Sequence, residues 1–211
     1  MAGLRASEVA YFKIREMILN LDFEPGAVIN EISLSKELDL GRMPVREGLA
    51  KLAADRLVVI APRRGAIVAP ISLELVADLF DAREAVEAGI ASVAARKLQN
   101  DSLAELSELV ARTEESRGHY DYEKFLLDDF EIHLMLVRLV NNSMLEDMAE
   151  RLLSHNLRFW RSFYRVRPSH ESSMISHRDL LDCLKARDSK GAEEAMRDHI
   201  QASRTLMQSL F

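Results

Sequence analysis

The sequence predicts a mostly α-helical protein in two parts: an N-terminal winged helix-turn-helix over residues 1–70 and an all-α, six-helix antiparallel bundle over residues 71–211. Three observations predict it. Within the first part, two short amphipathic segments flank a tight turn, and two β-branched runs follow around a basic turn. From Ser72 onward there is no strand signal and no proline until Pro168, so helix is interrupted only at short polar breaks. The charge is also uneven: the net −6 divides into +1 for residues 1–69 and −7 for residues 70–211. An acidic second part repels a polyanion, so any nucleic-acid contact belongs to the first.

With 211 residues, 48% hydrophobic and 29% charged, the chain has the composition of a soluble globular protein with one or two cores. Its single cysteine, Cys183, excludes an internal disulfide and suits a reducing compartment. The apolar runs are far shorter than a membrane span, and no charged-then-apolar leader opens the chain. A cytoplasmic location with no membrane contact is expected.

In the first part, Val9, Phe12, Ile14, Met17, Ile18 and Leu21 follow a helical period over Ser7–Asn20. Glu24-Pro25-Gly26 forces a turn. A second helix starts at Asn30 or Glu31 and runs to Leu38. Asp39-Leu40-Gly41 leaves room only for a tight turn before the third, Arg42 to about Asp55. Pro44 falls in its first turn, where a missing N–H costs nothing. Arg42 and Arg46 share one face at i, i+4 spacing, while Leu49, Leu52 and Ala53 lie towards the core. Arginine forks onto guanine edges or phosphates, though a plain solvated face has the same pattern. Leu57–Ile60 and Ala66–Ala69 read as a hairpin whose tip, Ala61-Pro62-Arg63-Arg64-Gly65, carries two cations.

Residues 11–70 resemble the DNA-binding domain of the GntR family of bacterial transcription regulators. The matching pieces are Tyr11 to Ile18, Pro25-Gly26, Glu31 to Leu38, Arg42, Pro44-Val45-Arg46-Glu47, Leu49, Leu52 and Pro62-Arg63-Arg64-Gly65. The resemblance implies a double-stranded DNA operator as partner, with Arg42 and Arg46 reading bases or phosphates and Arg63, Arg64 and Gly65 forming the wing tip. Two positions depart from the family pattern. Gly41 stands where a capping Ser or Thr is usual, which weakens the cap. Met43 replaces a small polar residue on the DNA-facing side, which implies different preferred bases.

Pro70-Ile71-Ser72 marks the boundary. The bundle helices are expected at 72–98, 101–117, 121–141, 143–166, 170–187 and 189–209, with breaks at Asn100-Asp101, Gly118, Asn141-Asn142-Ser143, Pro168-Ser169 and Asp188-Ser189. The third of them places Asp129 and His133 on one face among Phe125, Leu126, Phe130, Leu136 and Val137. A buried carboxylate and imidazole need partners. They can hydrogen-bond each other, or hold a first-row divalent ion. His177 on the fifth helix and His199 on the sixth also lie among apolar neighbours, and helical bundles build metal sites in this way. His119, His155 and His170 sit near helix ends or among polar residues and are not expected to be ligands.

This constellation, with Asn142 and the Arg83/Glu87 pair, resembles the six-helix VanR-type branch of the FCD effector domain, found behind this winged helix. The resemblance implies Asp129, His133, His177 and His199 as metal ligands, and a small organic acid completing the coordination sphere. Zinc or nickel, both high in the order of intrinsic affinities, is the expected metal. A cation is expected near the acid. Arg83 is the first candidate, and a buried structural pair with Glu87 is the other reading of it. Asn156 and Arg158, with Arg161, are further candidates on the fourth helix, where a solvent-facing placement is favoured.

The expected function is a homodimeric, ligand-responsive transcription regulator, more readily a repressor than an activator, on a near-palindromic operator. A metal sensor, a metalloenzyme fused to a DNA-binding domain and a plain scaffold are the alternatives. No second acid or base stands beside the four residues, and Glu131 points about 160° from His133 on an ideal helix. No catalytic residue is assigned and no enzyme is expected.

Overall fold

Apolar side chains at helical spacing on three short segments, closed by two β-branched runs, build the first core. The computed structural model describes residues 3–166 and 174–209. It divides into two units, Met1–Ser72 and Leu73–Phe211. In the first, α1 (Ala6–Leu19), α2 (Glu31–Glu37) and α3 (Arg42–Ala54) pack beside a small sheet of β1 (Val28–Ile29), β2 (Val58–Ala61) and β3 (Gly65–Val68). The strands are antiparallel in the order β1-β3-β2, with Ile67 opposite both Val28 and Val59. Ala10, Ile14 and Ile18 of α1 meet Val45, Leu49 and Leu52 of α3 in a core completed by Leu34, Leu57, Val58, Ala66 and Val68. Gly48 lets α1 and α3 come close: a Cβ there would stand 2.9 Å from the backbone nitrogen of Tyr11.

The ends of these helices follow their side chains. Asn30 caps α2, its Oδ1 accepting from the N–H groups of Ile32 and Ser33. Gly41 stands at the cap position of α3 with no side-chain hydrogen bond, so that helix starts uncapped. Asp39 turns the chain between α2 and α3 in a left-handed conformation, φ 54°. The sheet has one strand more than the sequence pattern shows. Two residues carry no readable alternation, and β1 exists only because β3 offers it a free edge.

The second unit is helical throughout the described residues: α4 (Leu73–Lys97), α5 (Asn100–His119), α6 (Tyr122–Val140), α7 (Ser143–Val166), α8 (Arg178–Lys185) and α9 (Ser189–Ser209). α4 lies chiefly against α9 and also touches α6 and α7; α5 packs on α6 and α8. Asn141 ends α6 with a left-handed φ of 50°, and Asn142 caps α7 through Met144 and Leu145. Asp188 caps α9, accepting from Lys190 and Gly191.

Two helix boundaries differ from expectation. Gly118 does not break α5, which continues through His119; Tyr120 ends it in a left-handed conformation, φ 58°. The expected helix 170–187 is short: Met174–His177 is non-helical and α8 begins at Arg178. Pro168-Ser169 and His170 lie outside the described residues. His177 sits at the N-cap of α8 instead of within a helix, and its carbonyl accepts the first helical bond, from Leu181. No described helix is long and apolar enough to cross a membrane.

Candidate functional site

The recognition surface of the first unit is set by α3. Val45, Gly48, Leu49 and Leu52 bury one face. The opposite face therefore carries Arg42, Met43 and Arg46 in the open. Arg46 is partly engaged: its Nε donates to Glu31 Oε2 on α2 at 2.6 Å. The wing between β2 and β3 is a turn closed by Arg64 N donating to Ala61 O at 3.2 Å, with Pro62 in its second position. Arg63 occupies the third position at φ 65°, where glycine is the comfortable residue, and Gly65 follows at φ 81°. A bulky cation kept in a left-handed conformation at an exposed tip is strain, of the kind found where a side chain has a task.

In the second unit, Asp129 and His133 of α6, His177 at the start of α8 and His199 of α9 converge, all buried, with one ligand atom from each lying within 4.8 Å of the rest. His177 Nε2 is 3.3 Å from His133 Nε2 and 3.5 Å from Asp129 Oδ1. His133 Nε2 and His199 Nε2 each stand 4.0 Å from the same oxygen. These separations are long for hydrogen bonds to a carboxylate. Donor atoms about 2.1 Å from one ion stand about 3.0–3.5 Å apart. The shortest separation in the cluster already has that spacing, the others extend to 4.8 Å at most, and an ion would draw the four groups together.

The outward nitrogens fix which end of two rings faces in. His133 Nδ1 meets Glu87 Oε2 of α4 at 2.5 Å. His199 Nδ1 donates to the Ser176 carbonyl at 3.4 Å. A proton on Nδ1 of each ring would leave the lone pair of each Nε2 for the cluster, the arrangement of metal-bound histidine. His177 Nδ1 is buried with no hydrogen-bond partner among the described residues. Burial raises the pKa of Asp129, an effect that His133 and Arg83 oppose and Glu87 reinforces. Burial, with the neighbouring imidazoles, pushes His177 well below its ordinary pKa and takes His199 down to about 3. Neutral His177 and His199 beside a buried carboxyl suit a divalent cation better than they suit one another.

A family model described as "FCD domain" matches residues 78–202, and one described as "Bacterial regulatory proteins, gntR family" matches residues 6–68. The chain belongs to the GntR family. An HTH-type transcriptional regulator of Streptomyces ambofaciens is 31% identical over 91% of this chain and 80% of its own. The HTH-type transcriptional repressor RspR of Escherichia coli K12 is 28% identical over 90% of this chain and 84% of its own. The solved structure of E. coli McbR/YncC shares the fold, with a TM-score of 0.83 at 20% identity over 98% of this chain and 99% of that one. As a GntR-family transcriptional regulator it carries a DNA-binding winged helix and an effector-binding FCD domain, and it is not an enzyme.

Of the residues singled out in the sequence, the four cluster members come together, and the two arginines of α3 and the wing tip stand exposed. Arg83 realises the second of its two readings: its Nε donates to Glu87 Oε1 at 2.6 Å. Asn156 and Arg158 do not face solvent as expected. Both are buried, Asn156 accepting from Arg83 Nη1 at 2.8 Å, and burial lowers the pKa of Arg158 to about 10. The pattern misled because the middle of α7, Leu153 to Trp160, is buried on every side, so polar residues there have no wet face to mark. Arg161 instead joins Glu123 in an ion pair. The sequence marks Glu87 only as a partner for Arg83; its contact with His133 crosses between helices and leaves no spacing signal.

The imidazole shifts predict how the metal-free protein responds to acid. Unfolded histidine titrates near pH 6.5, whereas His199 in the fold does so near 3 and His177 also well below its ordinary value. Between those limits the unfolded chain binds protons that the folded chain refuses, so stability present above about pH 6.5 is lost as pH falls. Urea denaturation of chelator-treated protein should show ΔG decreasing below about pH 6.5, by up to about 1.4 kcal/mol per pH unit for each of the two residues, partly offset by Asp129. A flat profile between about pH 7 and 5 would contradict neutral, buried imidazoles.

Proposed function

We propose that this GntR-family chain is a repressor that binds a near-palindromic operator as a homodimer, and that a divalent ion held by Asp129, His133, His177 and His199 anchors a small organic acid in the helical unit. One observation carries the metal half of this reading: three Nε2 atoms gather at 3.5–4.0 Å from one buried carboxylate oxygen, too far for hydrogen bonds and close to the spacing of ligands on an ion. Zinc or nickel suits a set of three imidazoles and one carboxylate. Four protein ligands leave positions open on a five- or six-coordinate ion, and an anionic oxygen fits there.

The residues around the ion divide the remaining work. Arg83 supplies positive charge behind His133, and Asn156 and Arg158 of α7 are the further effector-binding candidates. Arg158 is a deeply buried cation on the same helix as Asn156. On DNA, Arg42, Met43 and Arg46 of α3 would enter the major groove, while Arg63, Arg64 and Gly65 of the wing reach the backbone or minor groove. Repression is supported by the RspR relative, a transcriptional repressor, and dimerisation by the two-fold symmetry that palindromic operators match. The acid acts only through unequal affinity for the DNA-competent and DNA-incompetent arrangements; coupling of about 1–3 kcal/mol changes operator affinity about 5–150-fold.

Two substitutions separate the halves. Arg46→Ala should cost about 1–3 kcal/mol of binding to an operator selected from random duplexes if Arg46 forks onto a base, measured by titration at fixed salt; unchanged affinity removes Arg46 from the contact set. His177→Ala should leave that operator bound while elemental analysis of the purified protein shows the metal gone. Full metal occupancy in that variant would contradict the ligand set.

A further inference from the structure

Arg83 and Glu87 are among the most deeply buried charges in the helical unit, their side chains 1% and 2% exposed. Burying an ion pair costs several kcal/mol per ion before its attraction is counted, and apolar side chains of the same size often do as well or better. The pair therefore calls for a role besides stability. Its hydrogen bonds point to one. Arg83 Nη1 donates to Asn156 Oδ1 of α7 at 2.8 Å. Its Nε and Nη2 donate to the two oxygens of Glu87 at 2.6 and 3.3 Å. Glu87 Oε2, the oxygen nearer the cluster, meets His133 Nδ1 at 2.5 Å.

We infer that Glu87, clamped by Arg83 and Asn156, is the positioning residue that fixes the tautomer of His133, raises the basicity of its Nε2 and so sets the metal affinity of the cluster. This rests on the metal reading above. The three histidines are unequal in this respect. Neither His133 Nδ1 nor His177 Nδ1 has an aligned hydrogen bond among the described residues, but His133 Nδ1 touches the Glu87 carboxylate at 2.5 Å, and a carbonyl at 3.4 Å backs His199. Outer partners of this kind are worth about 10–100-fold in affinity when removed. The bidentate grip of Arg83 matters because a carboxylate free to swing would not orient the ring. Nε, Nη1 and Nη2 of Arg83 each donate to Glu87 or Asn156, so its task here is to hold Glu87.

The test measures the affinity of the full-length, chelator-treated protein for Co2+ by competition with a chromophoric chelator. Two variants are compared with wild type. Glu87→Gln keeps an acceptor but removes the charge. Arg83→Met/Glu87→Leu removes the whole ion pair and fills the space with apolar atoms, so the fold is retained, as thermal melting of the metal-free protein would check. Co2+ affinity should fall about 10–100-fold in both variants, and in the double variant it should fall without loss of melting temperature. A purely structural pair would leave affinity at the wild-type value in the folded double variant. Wild-type uptake of Co2+ with unchanged affinity in Glu87→Gln, or in the folded double variant, overturns the assignment alone. Failure of the wild-type protein to take up Co2+ overturns the metal reading and this assignment with it.

Discussion

The Asp129 carboxylate and the three imidazoles around it impose a constraint that the helical unit has to meet. A carboxyl group and three imidazoles, all buried, lie together, each Nε2 3.5–4.0 Å from one Asp129 oxygen and His133 Nε2 3.3 Å from His177 Nε2. In a low-dielectric interior that arrangement is unfavourable unless positive charge sits among them. The surrounding structure works against relaxation. Glu87 and the Ser176 carbonyl hold the outer nitrogens of two rings, and the start of α8 delivers His177 from a non-helical segment. A polar core built this way exchanges some stability for a defined geometry. That exchange makes sense in an effector-binding domain and is hard to account for in a passive scaffold.

The DNA-binding unit is held by simpler forces. Its core is a few aliphatic side chains from α1, α3 and the hairpin, and the reading face of α3 is what remains once those are buried. Leu21, Asp39, Arg56 and Arg63 all take a left-handed backbone, and at Arg63 that strain falls on a cation at the wing tip. The Arg46–Glu31 bond uses Nε and leaves the two terminal nitrogens of the guanidinium for a partner, and it holds α2 and α3 in one register.

Much of this was legible in the sequence because it depends on spacing along one helix. Asp129 and His133 are four residues apart, as are Arg42 and Arg46, and helical geometry alone puts each pair on one face. The wing was legible because β-branched runs around Pro62 and Gly65 have few other solutions. What escaped depends on contacts between elements. The Glu87–His133 contact joins α4 to α6, the burial of Asn156 and Arg158 reflects the central position of α7, and β1 exists only through β3. His177 was placed in the right cluster for a partly wrong reason: it reaches the others as the N-cap of α8, not from a helix face.

The most direct test is X-ray diffraction from crystals of the protein purified without added metal, recorded on both sides of the absorption edge identified by fluorescence. The account predicts one anomalous peak about 2.0–2.2 Å from Asp129 Oδ1 and from the Nε2 atoms of His133, His177 and His199. Absence of any peak there, with Asp129 drawn into direct hydrogen bonds with the histidines, would contradict it.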